Sequence, residues 1–590
     1  MKKKSALVLF TEELPKSKPL WFQQFDVIVA PIQLQKSIET FGCEWESLEE
    51  FVEAGSIYEA SAFTEELSRL TLPDGTRLVK SFIYKGYELW WIHYQNLFMR
   101  FCLPYTQYKK LLVYVVKNFQ EVSLYEPPFK NLFTCYLETY QCKVTTVRKS
   151  GLKPPSWLPF GMFVQIVLTF IFTPLLTMRR RHIMVFTGDK FETTKDYDFR
   201  MKFIYEELRE RHLPFVEFIR SLEPWRTVLN HAIKRRRPVI YTEAITFLGR
   251  FISILSGGQR RAQKKFGAKS FASVTEREER FKLLIASQYL LGVYDDIWAI
   301  RITKWLLRSI GIRSAFIASA AERNFHAVLG CKLNTIPTVG ILHGASSRHY
   351  NLYDFLPMYD GEKMLSVDRY GLWSEWWKEY YMIYSKAYRT EQLFITGPMR
   401  PIQKDMHNAH TRENIHEQKT RVLFVSEVVA VPEEVVPYLD ALIKVADFSV
   451  YIKFRSTHDS FEAWLTARRP DILSIVGKEK ILKGNMHEAI AVCDIVVGSQ
   501  STGVIEATIQ NKPFVFFNTK KWGDYFDMES FDEQYQFFAK NPDELTACVK
   551  KGKDVPVNLL KDIQEKFFGD PYKNGSAWVV DQLVVGLRRL

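Results

Sequence analysis

The sequence predicts an α/β fold assembled from more than one parallel, doubly wound sheet. Two observations carry that expectation. Short apolar runs of strand length alternate with helix-length amphipathic stretches along most of the chain, which is the pattern of βαβ units. The chain has 590 residues, too many for a single core, and its apolar fraction of 47% is that of an ordinary globular protein.

Residues 1–150 form the first expected α/β unit, an accessory one. "SALVLF", "FDVIVAPI", "KLLVYVV", "EVSLYE" and "KVTTV" are read as short buried strands, and "WWIHYQNLFMRF" and "FKNLFTCYLETY" carry helical periodicity. The opening "MKKKSALVLFTEE" imitates a secretory signal, but its apolar core is short and Glu12 and Glu13 follow at once. A signal core needs about 7–15 apolar residues, so "SALVLF" is assigned to a strand. No phosphate-binding or catalytic motif stands out in this unit.

Residues 155–181 depart from a soluble pattern. "WLPFGMFVQIVLTFIFTPLLTM", from Trp157 to Met178, carries no charge, and basic residues flank it: Arg148, Lys149 and Lys153 before, Arg179, Arg180 and Arg181 after. About 20 apolar residues suffice to span a bilayer. Basic residues on both flanks argue against a span, because the positive-inside rule favours one side, and Pro159, Gly161 and Pro174 suit a broken helix. A re-entrant or in-plane anchor fits both flanks. A buried interdomain helix is the third reading.

Residues 182–400 read as a second unit. Strands "HIMVFTGD", "PFVEFI", "RPVIYTE", "SAFIAS" and "TVGILHG" alternate with helices "DYDFRMKFIYEELRERH", "AIRITKWLLRSIG" and "AERNFHAVLGCKLNT", as a parallel sheet requires. The basic stretch from Thr246 to Arg280 is expected to contain a mobile loop. Residues 401–420 are polar and without apolar period, an interdomain connection. Residues 421–590 form a third unit: strands "RVLFVSE", "FSVYIKF", "ILSIV", "DIVVGS" and "PFVFFN", helices "PEEVVPYLDALIKVA", "NMHEAIAVC" and "TGVIEATIQN", and an amphipathic end, "WVVDQLVVGLRRL", expected to pack back on the body.

The net charge is +13, which points to anionic partners. The runs Lys234–Arg237 and Arg260–Lys265 lie in no RNA- or DNA-binding module with stacking aromatics, so the expected partner is an anionic membrane surface or lipid diphosphate and no nucleic acid. Seven scattered cysteines, odd in number and without CxxC spacing, predict a reduced, cytosolic setting with no disulfide framework and no structural zinc.

One turn is suited to an anion. In "DIVVGSQSTGVIEATIQN", a strand ends at Ser501, Thr502 and Gly503 and a helix begins. A helix start offers free backbone N–H groups and the positive end of a dipole; two short hydroxyls and a glycine complete a phosphate site. Glu506, one turn on, would accept from ribose or sugar hydroxyls. The plainer reading is that Ser501 and Thr502 cap the helix.

The stretch "NMHEAIAVCDIVVGSQSTGVIEATIQNKPFVFFN" resembles the C-terminal domain of GT-B glycosyltransferases, whose similar relatives include CDP-glycerol glycerophosphotransferases, capsule polysaccharide transferases and UDP-N-acetylglucosamine 2-epimerases. The resemblance implies that Ser501, Thr502 and Gly503 hold donor phosphate. "SAFIASAAERNFHAVLGCKLNTIPTVGILHG" looks like the end of a GT-B N-terminal domain, with Glu322 at a helix start and His343–Gly344 at a strand end facing the cleft. "YGLWSEWWKEYY" and "EQLFITGPMRP" resemble the strand–helix–strand that ends in a Gly-Pro turn at the crossover, here Gly397–Pro398. The likeness covers residues 182–540.

The chain departs from the family at "YIKFRSTHD": relatives often carry Lys-x-His-Pro, whereas no proline follows here and His458 is displaced, which puts a CMP-sugar donor in doubt. Lys453 and Arg455, two apart on a strand, are expected to face the donor phosphates together. Glu427 ends a strand at the same edge, where it would orient the donor or simply cap the loop before Pro432. The Asp-x-Asp in "KDYDFR" follows the first strand of its unit, a poor place for a metal; Asp198 or Asp189 there, Glu322, or His343 would be the base on the acceptor side.

The resemblance thus implies two Rossmann-like domains in GT-B arrangement, with the N-terminal unit and the apolar helix added. It implies a metal-independent glycosyltransferase of bacterial surface-polysaccharide assembly, on the cytoplasmic face of the plasma membrane. A nucleotide-sugar would be substrate, with no cofactor, and the acceptor would be lipid-linked or a glycan. Two alternatives stay open: a glycerophosphate or polyol-phosphate transferase using a CDP-linked donor, and a catalytically silent GT-B-like membrane scaffold.

Overall fold

The computed structural model describes residues 3–15, 19–147, 157–179, 183–188, 201–235, 237–318, 325–350, 354–399, 419–426, 431–455, 459–529, 531 and 534–588. Three parallel sheets organise them. The first holds β1 (Lys3–Leu9), β2 (Val27–Ala30), β3 (Glu44–Ser47), β6 (Phe119–Tyr125) and β7 (Lys143–Val147) in the order β3-β2-β1-β6-β7; a small antiparallel hairpin, β4 (Ile83–Tyr84) and β5 (Tyr87–Glu88), lies outside it.

The middle sheet is seven-stranded, in the order β10-β9-β8-β11-β12-β13-β14. Its strands are β8 (Ile183–Gly188), β9 (Phe215–Arg220), β10 (Val239–Tyr241), β11 (Ser314–Phe316), β12 (Thr338–Ile341), β13 (Arg369–Leu372) and β14 (Leu393–Ile395). The last sheet is six-stranded, in the order β17-β16-β15-β18-β19-β20. It is built from β15 (Thr420–Val425), β16 (Phe448–Lys453), β17 (Ile481–Leu482), β18 (Ile495–Gly498), β19 (Phe514–Phe517) and β20 (Phe538–Ala539).

Both large sheets are wholly parallel among their described pairs. In such sheets helices cover both faces and the strands read as continuous apolar runs, which is why "IMVF", "LFV" and "IVV" were legible. The order reverses between β8 and β11 in one sheet and between β15 and β18 in the other, so each has a topological switch point at its carboxyl edge.

Three expectations are corrected. "KLLVYVV" is part of the helix Leu103–Asn118: its buried residues Tyr108, Leu111, Leu112 and Val115 recur at helical spacing. "ILSIV" lies in the helix Pro470–Val476, started by Pro470 and buried through Ile472 and Val476, four residues apart. Thr246 to Arg280 is mainly helical rather than loop, with helices Thr242–Leu255, Gly258–Phe266 and Arg277–Ala286. Ala262 and Phe266 bury one stripe of the second helix, which leaves Arg260, Arg261 and Lys264 to solvent. The connection at 401–418 lies outside the described residues.

The chain does not leave the middle sheet at β14. Its last helix, Gly575–Arg588, returns to lie on β11, β12 and the helix Lys202–Glu210, as its amphipathic pattern predicts. Val579, Val580 and Leu583 are fully buried there against Ile183, Val185, Phe316, Val339 and Ile341. Each such side chain contributes about 1.5–3 kcal/mol on burial. The start of the helix is tied to the crossover: the Gly575 amide donates to the Pro398 carbonyl (3.0 Å) and the Ser576 hydroxyl to that of Met399 (2.7 Å).

The N-terminal unit is packed into the rest rather than appended. Trp90 donates its indole N–H to the Ala286 carbonyl (2.8 Å), His93 Nε2 meets Asp296 (2.8 Å), and the Ile57 amide donates to the Lys521 carbonyl (3.0 Å). One apolar cluster runs from Val8 and Trp91 through Ile300 to Phe516.

The apolar stretch is a helix, Trp157–Arg179, lying on the middle unit against the helix Trp225–Arg235 and β10. Between Phe160 and Met178 only 22% of the helix is buried.

A Cβ at Gly575 would sit 2.7 Å from the Gly397 carbonyl and 2.8 Å from that of Pro398, both backbone atoms. Gly575→Val is expected to destabilise by about 1–3 kcal/mol, read as a fall in the thermal unfolding midpoint; an unchanged midpoint shows that the crossover yields freely.

Candidate active site

Parallel pairing aligns the carboxyl ends of the last sheet. Val425 pairs with Lys453, and Phe424 with Val497, so the turns after β15, β16 and β18 emerge side by side. Ser499 and Gln500 are buried beneath the third turn, and Ser501 is a helix N-cap. The helix it starts is one α turn, Thr502–Ile505, continued by a 3₁₀ segment, Glu506–Gln510. Its dipole is therefore smaller than a ten-residue α-helix would give, and hydroxyls and amides carry more of any anion site.

Those hydroxyls are suited to it. Ser501 Oγ accepts from the Gly503 amide (3.2 Å) and Thr502 Oγ1 accepts from the Ala345 amide (3.1 Å). A hydroxyl that accepts one bond still has its own proton to donate. The second bond crosses the molecule: Ala345 belongs to the loop that follows β12, so the carboxyl edges of the middle and last sheets meet at Thr502. His343 lies in that same loop, exposed, two residues before Ala345.

The other residues singled out in the sequence are placed as follows. Gly503 turns its bare side to Met486, whose methyl would lie 2.5 Å from an added Cβ, so the glycine serves packing at that point. Glu506 is half-buried, 3.8 Å from His487 of the preceding helix. Lys453 and Arg455 do not share an environment, because β16 ends at Lys453 and alternation ends with it. Lys453 is buried, its ammonium donating to the Phe454 carbonyl (2.7 Å), and burial lowers its pKa. Arg455 is exposed, and its amide donates to Asp459 (2.9 Å). Asp459 also accepts from Ser426 (2.9 Å) and from the Phe461 and Glu462 amides, which pins the ends of β15 and β16 to the next helix. Glu322, Glu427, Asp189, Asp198 and His458 lie outside the described residues.

Sequence reasoning missed a cluster beside His343. His349 Nε2 lies 2.9 Å from Asp527 Oδ1, and Arg348 donates to the same oxygen (3.3 Å) while stacking over Tyr384 at 4.3 Å. Burial acts to raise the Asp527 carboxyl, but the His349 bond and the charges of His349 and Arg348 outweigh it and hold the carboxyl below its ordinary range. Tyr58, from the N-terminal unit, packs its ring against His349 at 4.5 Å in a tilted pair and donates to the Asp524 carbonyl (3.0 Å). Burial pushes the neighbouring Asp524 carboxyl up. Lys566 sits over the rings of Phe531 (4.0 Å) and Trp376 (5.0 Å), and burial lowers its pKa to about 8 despite the charge of Asp527. The only advance signal was the "SSRHY" that follows His-Gly.

Among the described residues no group of three or more His, Cys, Asp or Glu side chains is placed to hold a metal ion. The Asp-x-Asp of the second unit is outside them.

No family model matches the chain, and no curated protein matches it in sequence. Solved structures are similar in fold. A glycosyltransferase from Rickettsia africae ESF-5 is 10% identical over 70% of this chain and 100% of that one, with a TM-score of 0.39. The glycotransferase of kitacinnamycin is 13% identical over 69% and 100%, with a TM-score of 0.41. The UDP-GlcNAc 2-epimerase from Neisseria meningitidis, bound to UDP-GlcNAc, is 13% identical over 68% and 99%, with a TM-score of 0.38. With TM-scores under 0.5, these likenesses carry no further argument about this chain. The topology of the chain itself is two doubly wound parallel sheets meeting at their carboxyl edges, with the helix Gly575–Arg588 crossing back to the first of them.

Amine labelling read at Lys566 by peptide mass is expected to show a midpoint near pH 8, well below an ordinary lysine. Because the folded pKa is lowered, stability rises with pH from there toward the unfolded value. A midpoint in the ordinary lysine range shows a solvated ammonium rather than a buried one.

Proposed function

We propose that the chain is a glycosyltransferase that moves a sugar from a nucleotide-sugar donor to a hydroxyl of a lipid-linked or glycan acceptor. The observation that supports it best is the 3.1 Å contact between the Ala345 amide and the Thr502 hydroxyl. It brings an exposed histidine on one sheet edge opposite a hydroxyl-lined turn on another, the arrangement needed to hold donor and acceptor across one cleft.

In this reading the donor phosphates lie at Ser501 and Thr502, whose hydroxyl protons and neighbouring backbone N–H groups face the charge that builds on the departing nucleotide. Donors fixed in place before the reaction stabilise that charge without reorganising. The anomeric carbon leaves the phosphate oxygen and bonds to the acceptor oxygen, and the acceptor proton passes to His343 or to a carboxylate of the cleft. The His349–Asp527 pair, tied to Arg348, holds the loop that carries His343.

The test is a thermal-shift screen with UDP, GDP, CDP, CMP and their sugar conjugates, followed by a product assay. A ligand that binds only the folded chain stabilises it by about 2.7 kcal/mol at a hundredfold excess over its Kd. Ser501→Ala/Thr502→Val is expected to abolish the shift. His343→Ala is expected to keep the shift and slow transfer by about 10²–10⁴-fold. A double variant that binds nucleotide as well as the parent overturns the donor turn. Transfer of a polyol phosphate from a CDP-linked donor, or nucleotide binding with no transfer at all, replaces the glycosyltransferase reading with a phosphotransferase or a silent scaffold.

A further inference from the structure

The helix Trp157–Arg179 is turned inside out. Two of its polar residues face the protein: Gln165 and Thr169 are buried, Gln165 donating to the Ser221 carbonyl (3.1 Å) and Thr169 accepting from the Tyr241 amide (3.2 Å). Leu176 is buried and Val164, Ile166, Leu168 and Phe172 pack on the middle unit, but a row of large apolar residues faces outward, with Phe163 58%, Phe170 60% and Ile171 54% exposed. A helix in water takes the opposite arrangement.

The apolar surface continues onto its neighbours. The helix Thr242–Leu255 packs beside it and exposes Phe247, Phe251 and Ile254, a single stripe at helical spacing. That stripe cannot roll inward. Gly249, on the opposite face, already sits so close to the helix Val293–Ile310 that a Cβ would lie 2.8 Å from the Ala299 amide nitrogen. On the other flank the helix Trp225–Arg235 exposes Ile233 to 67%. Soluble monomers seldom carry a continuous apolar face over several helices unless it binds something.

Its charge says what. The inside-out helix is uncharged from Trp157 to Met178, and the helices Trp225–Arg235 and Gly258–Phe266 contain no acidic residue. Glu243, the acidic residue of Thr242–Leu255, is paired with Arg220 at 2.7 Å. The exposed charges on these elements are Arg226, Lys234, Arg250, Arg260, Arg261, Lys264 and Lys265, against one exposed acid, Glu223, in the turn before Trp225. A second copy of the chain meeting this face across a two-fold axis would oppose like charge to like charge, whereas anionic headgroups match it.

We propose that this face docks in the plane of an anionic lipid bilayer. Phe163, Phe170, Phe247 and Phe251 enter the acyl boundary and the basic rim meets the headgroups. The helix does not cross the bilayer, because the side bearing Gln165 and Thr169 is bonded to the protein. The proposal is independent of the glycosyltransferase reading, since it concerns lipid binding alone.

The experiment is flotation of the full chain with vesicles of pure phosphatidylcholine, and with vesicles of phosphatidylcholine and phosphatidylglycerol in equal parts. The parent chain is expected to float with the anionic vesicles and to be released by alkaline carbonate. Arg260→Ser/Lys264→Ser is expected to weaken binding to anionic vesicles about 25-fold, at about fivefold per cation removed. Phe170→Ser/Phe251→Ser is expected to abolish flotation. Both pairs are exposed, so an unchanged unfolding midpoint shows that the fold is kept. Flotation unaffected by either variant overturns the proposal. Resistance to carbonate extraction overturns it in favour of a span, and a soluble dimer split by Phe170→Ser/Phe251→Ser overturns it in favour of self-association.

Discussion

The bond from the Ala345 amide to the Thr502 hydroxyl joins the carboxyl edges of two separate sheets, and the groups with chemistry are placed relative to it. All loops that follow strands in a parallel sheet leave from one edge. Two such sheets make a cleft only when those edges oppose each other. A single bond of this kind contributes about 0.5–1.5 kcal/mol net, so it sets register rather than strength. The strength comes from apolar contact, in the one cluster that holds Leu342 and Trp373 of the middle unit together with Val504 and Phe516 of the last.

The same loop carries a second tie. Arg348 and His349 share the Asp527 carboxylate, and Asp527 itself sits at φ 56°, a left-handed conformation that aspartate tolerates better than most residues. Tyr58 closes the cluster from the N-terminal unit. Three parts of the chain, far apart in sequence, therefore meet at one histidine. A shift of the N-terminal unit would be felt at His349, and through the loop at His343, although that unit carries no catalytic motif of its own.

Much of the fold was legible because parallel strands buried on both faces leave unmistakable apolar runs. "KLLVYVV" and "ILSIV" were misread for the same reason: a short apolar run fits a buried strand and a buried helix equally well, and only the burial of Leu111, Leu112 and Val115, or of Ile472 and Val476, decides between them. The turn at Ser501 was legible as a strand–turn–helix junction. What local pattern could not give was partnership across the chain: that Thr502 meets Ala345, that Gly503 gives way to Met486, or that His349 finds Asp527. Lys453 and Arg455 show the limit of periodicity, since alternation holds only while the strand lasts. Net charge was visible from composition, but the basic rim became a surface only when three helices set it beside the exposed phenylalanines.

The last helix has a consequence for how the chain is made. Until residues 575–588 are synthesised, the apolar face formed by Val185, Phe316, Val339 and Ile341 has only the helix Lys202–Glu210 as cover. Translation at 5–20 residues per second leaves that face partly open for roughly 10–40 s after Met399 emerges. A chain stalled anywhere in the last sheet has its second sheet only partly covered. Synthesis of the helix Gly575–Arg588, rather than completion of the middle sheet's own strands, is the step at which this apolar face gains its full cover.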